Sequence, residues 1–446
     1  MNMKKPAYHK RWPALEPFIE ISVLILFLCL AALFMMATPL QEASDEAHHV
    51  GFTLYLKHTG QLPNAKTGGI GWSQQEATQA PLYYYCGAGL IRNKCTTNAA
   101  AYYVRQPNSP IGRADLPGSR HMYQPPDPRQ RDMDDTYMAI YLLRIYSSIL
   151  ILASILLVRL TIKRIFPEVH YAPVVGMVWV GFNPMVLFIG TSVCNDNLVI
   201  MMVSLTLLIA TFECAPSIRA LLLGICSSLA ILSKASALIL LPILPVFIFF
   251  TTKERKAALR NTLFFVIIVV IGCGWWFVRN RLLYGEYLAT TTHIHLAGNA
   301  RPAPDALALF KEWSGFVKSF WGVFGAFNIV YTDTEYYIFY ILTLFILAGS
   351  LWYVVQKRGH VHPLIYLAYG LLITNVLAVA QWTSRLWGSA GRLMFPSLSA
   401  IAILGVTAWA ALPRKMRMPA AIVLSGWLIA MCFRAAIFLI PPAYTP

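Results

Sequence analysis

Eleven stretches of this chain, each fifteen to twenty-three residues long, carry almost no charge: 16–38, 137–158, 171–191, 197–212, 219–233, 236–251, 261–279, 336–355, 363–381, 393–411 and 419–440. A bilayer core takes about 20 apolar residues of helix per crossing, and a backbone crossing lipid must satisfy its own hydrogen bonds. The pattern has neither the alternation of a membrane barrel nor the composition of a soluble domain. Charged residues make up 13% of the 446 residues, about half of what is usual in soluble proteins. The expectation is an all-α polytopic membrane protein of about eleven transmembrane helices, one domain over 1–446, with amphipathic juxtamembrane helices in a large first outer loop.

Lys and Arg set the orientation. With the N-terminus inside, the inner segments 1–15, 159–170, 213–219, 253–260, 357–362 and 413–418 hold 17 basic residues against 3 acids. The outer segment 41–136 holds 9 of each. Almost all of the formal +16 is therefore a positive-inside signal, which leaves no basic surface to imply nucleic acid. The N-terminal apolar run is longer than a signal-peptide core and has no obvious small-residue cleavage site, so it reads as an uncleaved span. This predicts a multi-pass inner-membrane protein with its N-terminus cytoplasmic and its long loops, 41–136 and 281–335, on the periplasmic or extracellular side.

The first of these loops divides near residue 95. In "HHVGFTLYLKHTG", His49, Phe52 and Leu56 fall on one helical stripe, with Gly60 placed to cap it. "APLYYYCGAGLIR" reads as a second short helix with Pro81 near its start and three tyrosines suited to the headgroup level. The Pro- and Gly-rich remainder, through "DLPGSRHMYQPPDPRQRDMDD", reads as an irregular loop of lid-like length. Cys86 and Cys95 lie in this outer segment, where a disulfide is permitted. The other six cysteines lie in or beside spans, and no spacing resembles a metal site.

"SDEAHH", at 44–49, puts two acids and two histidines just beyond the first span. One reading is a helix start, with Ser44 as N-cap and the acids favoured by the dipole. The other is chemistry: Asp45 and His49 stand one turn apart on one face. Further polar groups fall at the same outer edge. Asp196 sits in "NDN", Lys234 in a tight turn between spans, Arg279 and Asn280 at the end of "GWWFVRN", and Arg385 and Arg392 in "TSRLWGSAGRLMFP". Singly each is a snorkelling or capping residue. Together they set cations from separate spans at one depth, as an anionic lipid headgroup requires.

These segments resemble the GT-C superfamily of polytopic glycosyltransferases that use lipid-phosphate-linked sugars. Some bacterial members begin their first outer loop with proline-proline-aspartate-glutamate and a histidine three residues on. Here "PLQEASDEAHH" keeps Asp45, Glu46 and His49 but has Ala43 and Ser44 for the prolines. Their glutamine-proline-proline-leucine-tyrosine-tyrosine motif is matched by "TQAPLYYY", with Gln79 kept and Ala80 in place of the first proline. "CNDNL", "SKASALILLP", "GWWFVRNRLLYGE", "SFWGVFGAF" and "GRLMFP" resemble later patterns in order, so the likeness runs from 39 to about 400. The resemblance implies a hexosyl- or pentosyltransferase with a polyprenyl-phosphate sugar donor and an acceptor on a cell-envelope glycan, lipid or protein. It implies Asp45 as catalytic base with Glu46 second. His49, Gln79, Asp196, Lys234, Arg279, Asn280, Arg385 and Arg392 become candidate substrate contacts. A divalent cation, Mg or Mn, is compatible but not required. A transporter or flippase for a lipid-linked saccharide is the competing reading; it would place ionisable groups at mid-membrane depth, where Arg434 is the exception noted here. A non-catalytic scaffold leaves the acidic pair unexplained.

Overall fold

All eleven apolar segments are helical in the computed structural model, which describes residues 15–445 apart from 108, 117, 128 and 130–132. The basic N-terminus through residue 14 lies outside the described residues. Among the described residues, eight helices are long and apolar enough to cross a membrane: Glu16–Ala37, Thr136–Ile165, Pro216–Ser233, Arg255–Tyr284, Asp333–Gln356, Pro363–Thr383, Gly391–Ala411 and Arg414–Tyr444. The expected span 171–191 is instead two helices, Ala172–Gly181 and Pro184–Gly190, bent by 62°, and makes a ninth crossing if taken as one. The break has a local cause. Asn183 caps the second helix by accepting from the Met185 and Val186 amides (2.9 and 3.2 Å), and Pro184 cannot continue the first. The expected spans 197–212 and 236–251 are the shorter helices Asp196–Ala210 and Ala235–Thr251. At 1.5 Å per residue, fifteen residues reach about 22 Å, less than a bilayer core of about 30 Å.

Glycines let these helices approach. A methyl at Gly190 would stand 2.9 Å from Ile151 Cγ1, and one at Gly181 3.0 Å from Ile155 Cδ1, so the bent pair lies against Thr136–Ile165. Gly224 against Ile268 and Gly272 against Ser228 join Pro216–Ser233 to Arg255–Tyr284 in the same way. Small residues serve this purpose where lipid offers no hydrophobic drive between helices. Leu398–Ala411 is buried along nearly its whole length and forms the centre of the bundle.

The two long loops meet on one side. Ser44 Oγ donates to the Gly325 carbonyl at 3.1 Å, and the Gly112 amide to Ala326 at 2.8 Å. The sole sheet among the described residues is the antiparallel pair Val323–Phe324 and Ile329–Val330 in the second loop. The lid-like segment is pinned: buried Glu42 accepts from His121 Nδ1 (3.2 Å) and from the amides of Met122 and Tyr123 (2.8 and 3.1 Å). The expected juxtamembrane helices form as Glu46–Thr59, capped by Gly60 (φ 67°), and Leu82–Leu90, preceded by Pro81. Of the three tyrosines only Tyr85 is exposed; Tyr83 and Tyr84 are core, with Tyr83 Oη 2.7 Å from Ser147 Oγ. Cys86 and Cys95 are both free and exposed. Arg434 does not snorkel alone, because it pairs with Glu335 at the start of Asp333–Gln356.

Candidate active site

The chain turns sharply after the first helix, with left-handed backbone at Gln41 (φ 67°) and Asp45 (φ 61°). Asp adopts this region more readily than branched residues do. Asp45, not Ser44, is the N-cap of Glu46–Thr59, and its side chain makes no capping bond. Ser44 is drawn instead to Gly325. The turn sends the two adjacent acids in different directions.

Glu46 points inward and has no exposed surface. Arg144 grips it in a fork, Nε to Oε1 at 2.7 Å and Nη2 to Oε2 at 2.6 Å. The amides of Gln41 (2.9 Å) and Val193 (3.0 Å) complete its shell. Arg144 also donates to the carbonyls of Thr38 and Pro39, both at 2.8 Å, so the pair clasps the end of the first helix. Enclosure on all sides departs from the expectation of a second catalytic acid at Glu46: no face of its carboxylate is open to a substrate.

Asp45 is 30% exposed and pairs with Arg392, which the 3-10 turn Gly391–Ser397 supplies. Gln75 Nε2 donates to its other oxygen at 3.2 Å. Burial works to raise the Asp45 carboxyl, but the Arg392 charge, then His49, the Arg392 hydrogen bond and His48, hold it well below the usual carboxylate range. Gly51 makes this geometry possible, since a methyl there would lie 2.6 Å from the Trp72 backbone and push the Gly71–Thr78 turn away.

That turn carries Glu76, which the sequence reading did not single out. It is buried, with Oε2 3.6 Å from His49 Nδ1 and 3.5 Å from Tyr84 Oη. Burial first, and the Asp45 charge second, push its carboxyl up to about 8. His49 is turned toward Tyr84, at 2.8 Å, rather than bonded to Asp45, and burial pushes its imidazole down to about 3. His293, also unassigned from the sequence, stands 2.9 Å from Thr78 Oγ1 and edge-on to Trp382.

The expected contacts fall into three groups. Asp196 and Lys234 form a pair at 2.7 Å, with Cys194 Sγ 3.3 Å from the other Asp196 oxygen. They lie close enough to Arg392 for the charges to act on one another. Gln79 borders this group through Asn195 Nδ2 at 3.5 Å. Arg279 and Asn280 sit more than a turn inside the end of their helix. Arg279 donates to the Pro63 carbonyl at 2.8 Å and lies over Trp276, while buried Asn280 donates to Tyr287 O at 3.2 Å. Arg385 is exposed in the loop before Gly391, with no ion pair among the described residues. No group of three or more His, Cys, Asp and Glu converges as a metal set would among the described residues.

Such a bundle, with a partly open carboxylate and basic side chains under two interlocked loops, has a fold shared with solved polytopic membrane proteins. No family model and no curated protein matches the sequence. Among solved structures the chain is similar to ArnT from Cupriavidus metallidurans, bound to undecaprenyl phosphate and in the apo state. The TM-score is 0.54 for both, at 11% and 12% identity, over 90% and 91% of this chain. The chain spans 62% of the ArnT length. It is also matched to AglB from Archaeoglobus fulgidus in complex with an inhibitory peptide and a dolichol-phosphate, with TM-score 0.48, 13% identity, and coverage of 98% of this chain and 56% of AglB.

Proposed function

We propose that this protein is a membrane glycosyltransferase that moves a hexosyl or pentosyl group from a polyprenyl-phosphate donor to an acceptor on the periplasmic or extracellular face. The observation that carries the reading is the partly open Asp45 carboxylate beside Arg392, with Lys234 and Asp196 alongside. An acceptor hydroxyl or amine, on a cell-envelope glycan, lipid or protein, attacks the anomeric carbon. The bond from that carbon to the phosphate oxygen breaks, its electrons stay on the phosphate, and Asp45 takes the acceptor's proton. Arg392 and Lys234 receive the developing charge. Glu46 is a positioning residue, holding the turn that aims Asp45. The likeness to ArnT, whose solved structure holds undecaprenyl phosphate, supports a lipid-phosphate ligand.

The test is to incubate the purified full chain with a panel of polyprenyl-phosphate sugars and acceptor extracts and to follow release of lipid phosphate. Release with sugar appearing on an acceptor is expected. Translocation of intact lipid-linked sugar in vesicles, without release, would replace this reading with the transporter.

A further inference from the structure

We propose that Arg392 changes partner during transfer, from the Asp45 carboxylate to the donor's phosphate, so that Asp45 becomes a proton acceptor only as the leaving group gains charge. The inference rests on the transferase reading above. It starts from a charge count: Arg392 and Lys234 are both already matched, by Asp45 and Asp196. His49 and Glu76 add no charge near neutrality, because burial keeps one deprotonated and the other protonated. A phosphate entering this cluster meets no surplus positive charge unless a carboxylate yields its cation.

The two pairs are not equally able to yield. The Asp196 side chain is 2% exposed and is held by Cys194 as well as Lys234. The two cations are similarly exposed, Lys234 16% and Arg392 12%, but the Asp45 side chain is 30% exposed, so of the two carboxylates Asp45 is the one with an open side from which it can be parted from its cation. Besides Asp45, the Arg392 guanidinium has one long bond, 3.4 Å to the Ser44 carbonyl. Its planar fork fits carboxylate and phosphate alike.

The exchange also resolves a chemical conflict. A carboxylate paired to Arg is a weak base, since the pair stabilises the ionised form. The donor phosphodiester carries one negative charge; after the glycosidic bond breaks, the phosphate carries two until a proton arrives. Arg392 is thus drawn toward the phosphate oxygen as that bond breaks. Asp45 loses its counter-charge at the moment the acceptor oxygen, bonding to the anomeric carbon, must lose its proton. The proton ends on Asp45, the electron pair on the phosphate, and no other reactant is needed.

The prediction is opposite in sign to that for an ordinary ligand contact. In lipid nanodiscs, with undecaprenyl phosphate as probe, the wild-type chain binds saturably. Asp45→Asn, which suits the left-handed backbone, binds about tenfold tighter, because the competing carboxylate is gone. Arg392→Ala binds more weakly, and the gain disappears in the Asp45→Asn/Arg392→Ala double variant. Should Asp45→Asn fail to fold, Asp45→Gly accepts the same φ and replaces it. Unchanged or weaker binding by Asp45→Asn, or a gain that persists in the double variant, overturns the exchange while the transferase reading stands. No saturable binding by the wild type removes both.

Discussion

Asp45 and Glu46 are neighbours in the chain, yet their carboxylates serve opposite sides of one turn. Asp45, 30% exposed, meets Arg392 from the turn Gly391–Ser397; Glu46, wholly enclosed, meets Arg144 from the second crossing helix. The left-handed φ of 61° at Asp45 produces the divergence. Rigid support behind and a partly open carboxylate in front is the arrangement that the proposed base needs.

Asp45→Asn keeps the size and the backbone preference but accepts no proton. We expect folded protein and sugar transfer reduced by about two to four orders of magnitude. Turnover measured with a saturating donor checks this. Near wild-type turnover by a folded variant would remove Asp45 from the chemistry.

Glu46→Gln tests support rather than catalysis. It leaves the Arg144 guanidinium buried without its counter-charge, a loss that costs about 3–5 kcal/mol. The thermal unfolding midpoint and the yield of monodisperse protein should fall sharply. Glu46→Gln with Arg144→Met should recover part of the loss, since the stranded charge is gone. A stable Glu46→Gln protein that binds donor but transfers nothing would return Glu46 to the catalytic role expected from the sequence.

The membrane architecture was legible because apolar length and basic flanks act locally, residue by residue. So was the helix after Glu46, through its stripe and Gly60. Partner choice was not. Nothing in "SDEAHH" says that Glu46 finds Arg144, 98 residues on, or that Asp45 finds Arg392, 347 residues on. Arg144 did leave a signal, as a lone charge inside an apolar span, and such charges are costly enough to mark a purpose. Glu76 left a weaker one, an acid three residues before Gln79 in the region that resembles the family motif. Its burial depends on Gly51 admitting Trp72, a contact that periodicity does not reveal.

Glu76 gives a pH signature. Its folded value, about 8, exceeds the ordinary 4.5, so the native state holds more protons across that window and stability falls as pH rises through it. His49, lowered from 6.5 to about 3, acts in the opposite sense, but its effect is complete by pH 6.5. Between pH 6.5 and 8 the Glu76 loss stands uncancelled, joined by His121, which Glu42 raises. The unfolding midpoint should therefore drop over that interval. Glu76→Gln should flatten the drop, leaving the His121 share. An identical slope in the variant would show that Glu76 is ionised in the fold at neutral pH.

Orientation is the remaining premise, and it rests on the 17 to 3 charge bias of the segments taken as inner. Asn299 lies in the second loop, bonded through Nδ2 to Trp387 O at 3.1 Å. A single cysteine at Ala300, beside it, in a chain otherwise free of cysteine, should react with an impermeant thiol reagent in intact cells. One at Arg255, among the basic residues that open Arg255–Tyr284, should react only after permeabilisation. Because Ala300 bridges to Leu386 and the Arg301 amide donates to the Arg385 carbonyl at 2.8 Å, this label reports the side on which the loop before Arg392 lies. Labelling of Arg255→Cys alone in intact cells would invert the topology and put Asp45 on the cytoplasmic side, away from any outward-facing donor.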